Sequence, residues 1–505
     1  MTSGQFDLIT RLDQNAATDD GRVALIFAAE HITFAELAQR SLAVARALVA
    51  AGVGTGDRVV HVATDTPALY ELLYGCARIG AVLVPVNWRL AADEVDFVVE
   101  HSGARVLVTD RPDLTAENIV QMGDFGQWRD SAGAVALPDI SVDRNTAIVQ
   151  MYTSGTTGRP KGVVLAHRAF NAVRELLDRA ELDWLDWRPD DISLIALPAF
   201  HIGGMWWATQ ALNCGIASVV IPRFTAKGAA AAVRDSGVTL TCFVPAMILM
   251  LLSDPGVAAS DLATLRKIAY GGSPIGPDLL ARAIDTIGCE FAQIYGLTET
   301  GNTAVCLPPD QHRPGQARLH AAGKPYPGVD VAIRNSEGHD LPSGVSGEVY
   351  LRSPAQMLEY FADPAETANT IVDGWIRTGD AGYVDDDGFL VIRDRVKDLI
   401  IVSGENVYPA EVEKAINSHP DVHDSAVVGV PDDRRGERVH AFIVTKPESL
   451  LADNELSEFL GRRLARFKVP SRYEFIESIP RNPSGKILRR ELRERFWAGL
   501  DRQVH

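Results

Sequence analysis

Two segments of this chain concentrate the residue types that handle phosphate. The run Tyr152-Thr153-Ser154-Gly155-Thr156-Thr157-Gly158-Arg159-Pro160-Lys161-Gly162 carries four hydroxyls at 153, 154, 156 and 157, three glycines and two cations. It follows the apolar stretch Ala147 to Met151 and precedes Val163 to Leu165, so the pattern predicts a loop between two strands. Backbone N–H groups, hydroxyls and the Lys161 ammonium can converge there on one polyanion. It is not a Walker-type loop. Arg159-Pro160 separates Gly158 from Lys161, and Pro160 removes an amide where that loop would open its helix. A flexible Ser/Thr/Gly linker is the alternative, and Pro-Lys-Gly directly after the run argues against it. The second segment, Pro480-Arg481-Asn482-Pro483-Ser484-Gly485-Lys486, puts a lysine in a Pro/Gly-rich loop close to Arg489 and Arg490. Taken alone, Lys486 reads equally as an exposed lysine of a basic tail.

Single residues elsewhere suit the same chemistry. Glu299 offers hard carboxylate oxygens of the kind Mg²⁺ takes beside nucleotide phosphates, although a glutamate after Thr298 also caps turns. Asp380, after Thr378-Gly379, can accept two hydrogen bonds from a diol, and aspartate is also common in turns. His201 follows Leu197-Pro198-Ala199-Phe200, where a lone histidine is most often structural.

The elements that must position these residues are legible in the hydrophobic pattern. Phe34, Leu37, Val44 and Leu48 predict an amphipathic helix, with Thr33 and Glu36 as a capping box and Gly52 as its stop. Arg58 to Ala63 reads as a strand, Glu71 to Gly80 as a helix and Ala81 to Val84 as a second strand. The alternation resumes through Val106 to Val108, Ile192 to Leu197, Ala217 to Ile221 and Thr239 to Val244. This predicts layered α/β structure with largely parallel sheets. After about residue 325, short strands at 329–333, 347–351 and 389–392, divided by Pro, Gly and Asp, suit a small β-rich subdomain. Past Arg395 the pattern is α+β: a helix over 410–418, strands over 425–430 and 439–444, and a helix over 456–465. The expected organisation is an N-terminal domain over 1–395 and a small C-terminal domain over 396–505.

Composition narrows the function classes. A chain of 505 residues, 46% hydrophobic and 23% charged, has the profile of an ordinary globular protein with a sizeable core. A net charge of −17 disfavours a general grip on nucleic acid or anionic lipid, so an anionic ligand needs cations concentrated locally. The five cysteines have no CxxC or zinc-like spacing. The N-terminal 20 residues lack the cationic start and apolar stretch of a secretory signal. The longest apolar run, Leu240 to Leu252, contains Pro245 and is shorter than the about 20 residues of a bilayer span. These features predict a cytoplasmic protein without a transmembrane segment or nucleic-acid partner, and leave monomer or homodimer open.

With the phosphate loop, further motifs appear in order: Leu197 to His201, Tyr270-Gly271-Gly272-Ser273-Pro274, Tyr295-Gly296-Leu297-Thr298-Glu299, Gly347-Glu348-Val349 and Trp375 to Asp380. Arg395 to Asp398, Gly404 to Glu411 and Pro480 to Lys486 follow. The set resembles the adenylate-forming superfamily of acyl- and aryl-CoA synthetases, peptide-synthetase adenylation domains and beetle luciferases, from about Thr33 to Arg490. The resemblance implies a carboxylate attacking the α-phosphate of MgATP with loss of pyrophosphate, then transfer of the acyl group to a thiol. It implies that Thr153, Ser154, Gly155, Thr156, Thr157, Gly158 and Lys161 hold phosphates and that Glu299 binds Mg²⁺. Thr298 would touch the α-phosphate, Tyr295 with Gly296 would stack on adenine, and Gly271, Gly272 and Ser273 would let backbone approach the base. Asp380 and Arg395 would hold the ribose, and Lys486 would bridge the acyl carboxylate and α-phosphate. His201 would border the carboxylate and thiol channel.

The same resemblance implies a mobile C-terminal domain with its hinge at Lys397, which presents the Gly404 segment to the thiol. Amino-acid-activating relatives carry Phe-Asp where this chain has Phe200-His201, which disfavours an amino-acid substrate. Two departures stand out: Leu358-Glu359-Tyr360-Phe361 lacks a frequent glycine before the tyrosine, and Asp394 replaces a frequent glycine before Arg395. The expected reaction is ATP- and Mg²⁺-dependent activation of an apolar carboxylic acid and transfer to coenzyme A. A stand-alone enzyme loading a carrier protein, or a ligase for aryl or polycyclic acids, is the alternative. The apolar segments 202–208, with Met205, Trp206 and Trp207, and 243–252 are the expected acyl pocket, although the tryptophans equally suit a plain core.

Overall fold

The capping box expected at Thr33 forms in the computed structural model. Thr33 Oγ1 accepts the Glu36 N–H at 3.1 Å, and Glu36 Oε2 accepts the Thr33 N–H at 2.8 Å. The helix Phe34–Ala50 that follows buries Phe34, Leu37, Val44 and Leu48 as the periodicity requires. The structure describes residues 7–19, 21–153, 160–182, 184–273, 275–312, 318–395, 398–402, 405–432, 435–447, 449, 451–481 and 485–498. The chain divides into two compact units, one of residues 1–331 and 351–376, the other of 332–350 and 377–505.

Two sheets organise the first unit. The nine-stranded sheet runs in the order Lys324–Pro325, Val305–Leu307, Glu290–Tyr295, Lys267–Gly271, Leu240–Phe243, Ile192–Ile195, Ala217–Val220, Val23–Phe27, Glu30–Thr33. Its six central strands are parallel, as the strand–helix alternation predicts. Leu194, Phe243, Ile268, Tyr270 and Phe291 from these strands share a buried core with the helices flanking them. The seven-stranded sheet has the order Glu359–Tyr360, Lys161–Ala166, Ala147–Thr153, Val82–Pro85, Arg58–Val62, Val106–Thr109, Ile119–Gln121. It is antiparallel only at its Glu359–Tyr360 end.

One helix begins earlier than the pattern predicts. Pro67–Ile79 starts four residues before Glu71, with Pro67 in its first turn and Gly80 closing it at φ +68°. Nearly every side chain of this helix is buried, so it has no polar face to reveal a period of 3.6. The apolar run 240–252 is a strand followed by the helix Pro245–Ser253. No helix among the described residues is long and apolar enough to cross a membrane. All five cysteines are free thiols.

The short strands expected after residue 325 are Asp330–Arg334, Gly347–Arg352 and Leu390–Arg395, joined by Trp375–Val384. In the second unit, Leu390–Arg395 pairs antiparallel with Trp375–Val384, setting Asp380 opposite Arg395. This unit also holds a five-stranded sheet, Glu405–Val407, Ile400–Val402, Gly436–Thr445 and Val422–Asp432, with Arg472–Phe475 added to Gly436–Thr445. The helices Pro409–Asn417 and Asp453–Gly461 contribute Val412, Ile416, Leu456 and Leu460 to the core on one side. Leu492 of Arg489–Trp497 packs in a separate core with Val428 and Phe442. This is the expected small α+β domain.

Candidate active site

The two strands expected on either side of the hydroxyl- and glycine-rich run form. Ala147–Thr153 and Lys161–Ala166 pair antiparallel with Thr153 opposite Lys161, so both ends of the loop are fixed on the sheet. Ser154, Gly155, Thr156, Thr157 and Gly158 lie outside the described residues. Lys161 reaches Glu366 in an ion pair, and its ammonium stands 5.2 Å from the centre of the Tyr360 ring. Tyr360 in turn donates its phenolic hydrogen to Glu299 Oε1 at 2.7 Å. Glu299 is also held through its backbone, its carbonyl accepting the Met357 N–H at 2.8 Å.

Lys161 and Glu299, 138 positions apart in the chain, therefore share one cluster with Tyr360 between them. Burial first, then the Glu299 carboxylate, push the Tyr360 phenol up, so it stays a hydrogen-bond donor at neutral pH. The Tyr360 bond uses Oε1 of Glu299, and the carboxylate retains Oε2 as a hard donor. One carboxylate beside nucleotide phosphates fits the way Mg²⁺ is usually held. Neither Tyr360 nor Glu366 was a candidate from sequence. Their signal was the Tyr360-Phe361 motif and Pro364-Ala365-Glu366 after it, but no local pattern says where a side chain 205 positions from Lys161 will land.

Adjacent parallel strands position the glycine and tyrosine motifs. Lys267–Gly271 and Glu290–Tyr295 lie side by side with Gly271 opposite Ile294, so both motifs leave the sheet at its carboxyl edge. Ligands of open α/β sheets bind at such edges. A Cβ on Gly271 would sit 2.3 Å from the Ile294 carbonyl oxygen, and one on Gly296 would sit 2.0 Å from the Asn302 carbonyl oxygen. Gly272 has φ +81°. These glycines thus serve the packing of the protein's own backbone, which the resemblance alone did not expose. Thr298 and Glu299 form a single 3₁₀ turn, Thr298–Thr300, stapled by the Leu297 N–H to Thr300 Oγ1 at 2.9 Å.

His201 sits at the N-cap of the helix Ile202–Asn213, partly exposed, its ring 4.6 Å from that of Phe200. Asp65 holds the preceding turn by accepting the Ala199 N–H at 2.8 Å. That carboxyl is buried, and burial raises it to about 7 against the opposing effects of the Ala199 N–H and Arg89. Gly204 is required because a Cβ would lie 2.3 Å from the Pro198 carbonyl oxygen.

The two expected pocket segments contain both buried and exposed side chains. A cavity of about 20 Å³ is lined by Phe170, Val173, Leu177, Trp187, Trp206 and Thr303 among others. Only Trp206 and no residue of 243–252 lines it. Met205 and Trp207 are core, with Trp207 packed 4.7 Å from Trp187. Leu249 and Met250 are 44% and 49% exposed. The uniform apolarity of the two segments concealed which side chains face outward.

In the second unit, Asp380 is 7% exposed, and its N–H donates to Thr378 Oγ1 at 3.0 Å. Thr378 Oγ1 donates to the Val349 carbonyl at 2.8 Å, and Gly379 between them has φ +69°. Arg395 is placed by its backbone opposite Asp380. Lys397 and Gly404 lie outside the described residues, as does the Arg395 side chain. Asp394, the departure from the common glycine, is buried and accepts the Ala410 N–H at 2.7 Å at the start of Pro409–Asn417. Lys486 is exposed, directly after Gly485 at φ +82°.

Strands flanking a hydroxyl- and glycine-rich run, with an acidic turn and glycine motifs at the carboxyl edge of a parallel sheet, agree with an enzyme that forms acyl adenylates. The chain belongs to the AMP-binding enzyme family of the adenylate-forming superfamily. The family's main domain matches residues 12–361 and its C-terminal domain residues 411–486. It is 53% identical to a fatty acid–[acyl-carrier-protein] ligase of Streptomyces coeruleorubidus over 94% of this chain and 93% of that one. Identity to a long-chain-fatty-acid–CoA ligase of Mycobacterium tuberculosis is 35%, over 92% and 93%. Among solved structures, o-succinylbenzoate coenzyme A synthetase of Bacillus subtilis in complex with ATP and magnesium ion is similar at TM-score 0.84 and 30% identity, over 95% and 98% of the two chains. The chain is an AMP-forming acid–thiol ligase.

Proposed function

We propose that this enzyme activates a fatty-acid carboxylate as its adenylate and passes the acyl group to the phosphopantetheine thiol of a carrier protein. The observation that carries this choice of acceptor is the 53% identity, along nearly the whole chain, to a fatty acid–[acyl-carrier-protein] ligase. The sequence expectation of coenzyme A is thereby displaced to second place. It keeps the support of CoA ligases at 34–37% identity.

In this reading the loop from Thr153 to Lys161, including Ser154, Gly155, Thr156, Thr157 and Gly158, receives the phosphates. Glu299 holds Mg²⁺, which supplies charge neutralisation on the phosphoryl oxygens. Tyr360 orients the Glu299 carboxylate, and Glu366 holds the Lys161 ammonium in an ion pair. Thr298 donates to the α-phosphate, Tyr295 with Gly296 supports the adenine beside Gly271, Gly272 and Ser273, and Asp380 accepts from the ribose hydroxyls while Arg395 donates to the ribose. Lys486 aims its ammonium at the oxygens on which charge develops as the carboxylate attacks. His201 borders the carboxylate. In the acyl transfer the thiolate sulfur bonds to the acyl carbon, the acyl C–O bond of the mixed anhydride breaks and AMP leaves with its electron pair, so no protein nucleophile is needed. A domain boundary after residue 395 with a hinge at Lys397 and acceptor contact at Gly404 belongs to the same proposal.

The test is a competition. With ATP, Mg²⁺ and a panel of fatty acids, the enzyme is offered holo carrier protein and coenzyme A at equal concentration, and both thioesters are quantified. Carrier thioester in excess supports the proposal. CoA thioester in excess restores the CoA reading. Pyrophosphate release with neither thioester formed refutes both acceptors.

A further inference from the structure

Lys486 presents a flexible four-carbon side chain from an exposed segment, yet an ammonium that stabilises a developing charge must be held to within about half an ångström. Something must therefore fix the backbone that carries it. Gly485, immediately before it, is in the left-handed region at φ +82°. Its carbonyl accepts a hydrogen bond from Arg481 Nη1 at 2.8 Å. The other arm of the same guanidinium, Nη2, donates to both oxygens of Asp424, at 2.9 and 2.8 Å. Asp424 belongs to the strand Val422–Asp432 and faces Val444 in register. Arg481 and Ile487 also form an isolated antiparallel bridge, and the Leu488 N–H donates to the Pro480 carbonyl at 2.9 Å.

On the far side of Lys486, Arg489 is bound to Glu413 of the helix Pro409–Asn417 at 2.8 and 2.6 Å. The lysine therefore stands between two arginines, each tied to the sheet-and-helix frame. The two ties differ in burial. Glu413 and Arg489 are largely enclosed, so breaking that pair leaves an uncompensated buried charge and threatens the fold. Arg481 and Asp424 are 38% and 27% exposed at their side chains, and exposed pairs contribute little to stability. The exposed fork has a geometric task instead: one planar guanidinium spans the carbonyl beside Lys486 and a carboxylate on a strand, which a lysine's single ammonium cannot reproduce.

We infer that Arg481 is a positioning residue for the adenylation step, clamping the Gly485 carbonyl to Asp424 so that Lys486 leaves the frame in one direction. The inference rests on the proposed role of Lys486 and extends it to a residue that touches no substrate. The acyl-transfer step, which does not use Lys486 in that reading, is indifferent to the clamp.

Full-length Arg481→Ala, Arg481→Lys and Asp424→Asn are compared with wild type and with Lys486→Ala. Two half-reactions are measured: pyrophosphate release from ATP and a saturated fatty acid, and thioester formation from supplied acyl-adenylate. Thermal melting is the fold control. Arg481→Ala is expected to lower the kcat of pyrophosphate release by about tenfold to a hundredfold, the cost of misplacing a catalytic group by about 1 Å. KM for ATP and acid should stay within about twofold, the pattern of an interaction used only in the transition state. Thioester formation and melting should be unchanged, Asp424→Asn should shift the same half-reaction in the same direction, and Arg481→Lys should recover part of the loss. Equal loss in both half-reactions, or pyrophosphate release within about twofold of wild type, overturns the inference. If Lys486→Ala itself leaves pyrophosphate release intact, the reading of Lys486 fails first, and the clamp has nothing to position.

Discussion

Removing one oxygen, by Tyr360→Phe, tests the cluster that joins Lys161 to Glu299. The lost bond is 2.7 Å long, runs from a phenol 5% exposed, and ends on a carboxylate. Hydrogen bonds to charged groups contribute about 1.5–3 kcal/mol. Glu299 is only partly buried, so water replaces part of the lost donor, and the lower end, about 1.5 kcal/mol, is the better value. At 1.36 kcal/mol per decade this is about a tenfold change. With Glu299 as the proposed Mg²⁺ ligand and the phenol bonded to its Oε1, the change should fall on the Mg²⁺ concentration at half-maximal rate. Titrating Mg²⁺ in a pyrophosphate-release assay at saturating acid and fixed ATP reads it directly. Phenylalanine keeps the ring under the Lys161 ammonium, so KM for the fatty acid should stay constant and melting should fall by no more than a few degrees. An unchanged Mg²⁺ requirement, or a loss confined to fatty-acid KM, would show that Glu299 does not work through Tyr360.

Further expectations concern packing and pH. Gly296→Ala places a methyl 2.0 Å from the Asn302 carbonyl oxygen, where only backbone movement relieves the clash, so adenylation should collapse with a destabilisation of about 1–3 kcal/mol in chemical denaturation; a variant of wild-type stability and rate contradicts this. His61 and His167 are buried, and burial lowers each to about 4 from an ordinary 6.5. A depressed histidine stabilises fully above the unfolded value, and that contribution is lost as pH falls from 6.5 toward 4, by at most about 3 kcal/mol per group. Thermal melting should therefore drop over that window, and more gently in His61→Leu; equal slopes in the two proteins would refute the assignment. Asp65 works the other way. Its folded value is raised to about 7 from 3.8, so its contribution is present below 3.8 and is lost as pH rises to 7. Asp65→Asn, which keeps an acceptor for the Ala199 N–H, should raise the melting temperature at pH 8 and not at pH 4.

The sequence by itself determined the class of chemistry, the α/β layering and most element positions. Motifs such as Thr153 to Lys161 and Tyr295 to Glu299 are contiguous, and their order along the chain carries the family resemblance that implies their use. The helix Phe34–Ala50 was legible down to its cap because Thr33 and Glu36 are three positions apart and one face is polar. The helix Pro67–Ile79 was misplaced at its start because burial on all sides erases the periodicity. Only the tertiary structure decided that Glu366 meets Lys161, that Tyr360 meets Glu299, and that Trp206 faces a cavity while Met205 and Trp207 fill core. The same holds for Asp394, whose replacement of a glycine acquires meaning only where its carboxylate meets the Ala410 N–H. These contacts depend on which strand edges the topology brings side by side, and a one-dimensional pattern of polarity contains no term for that.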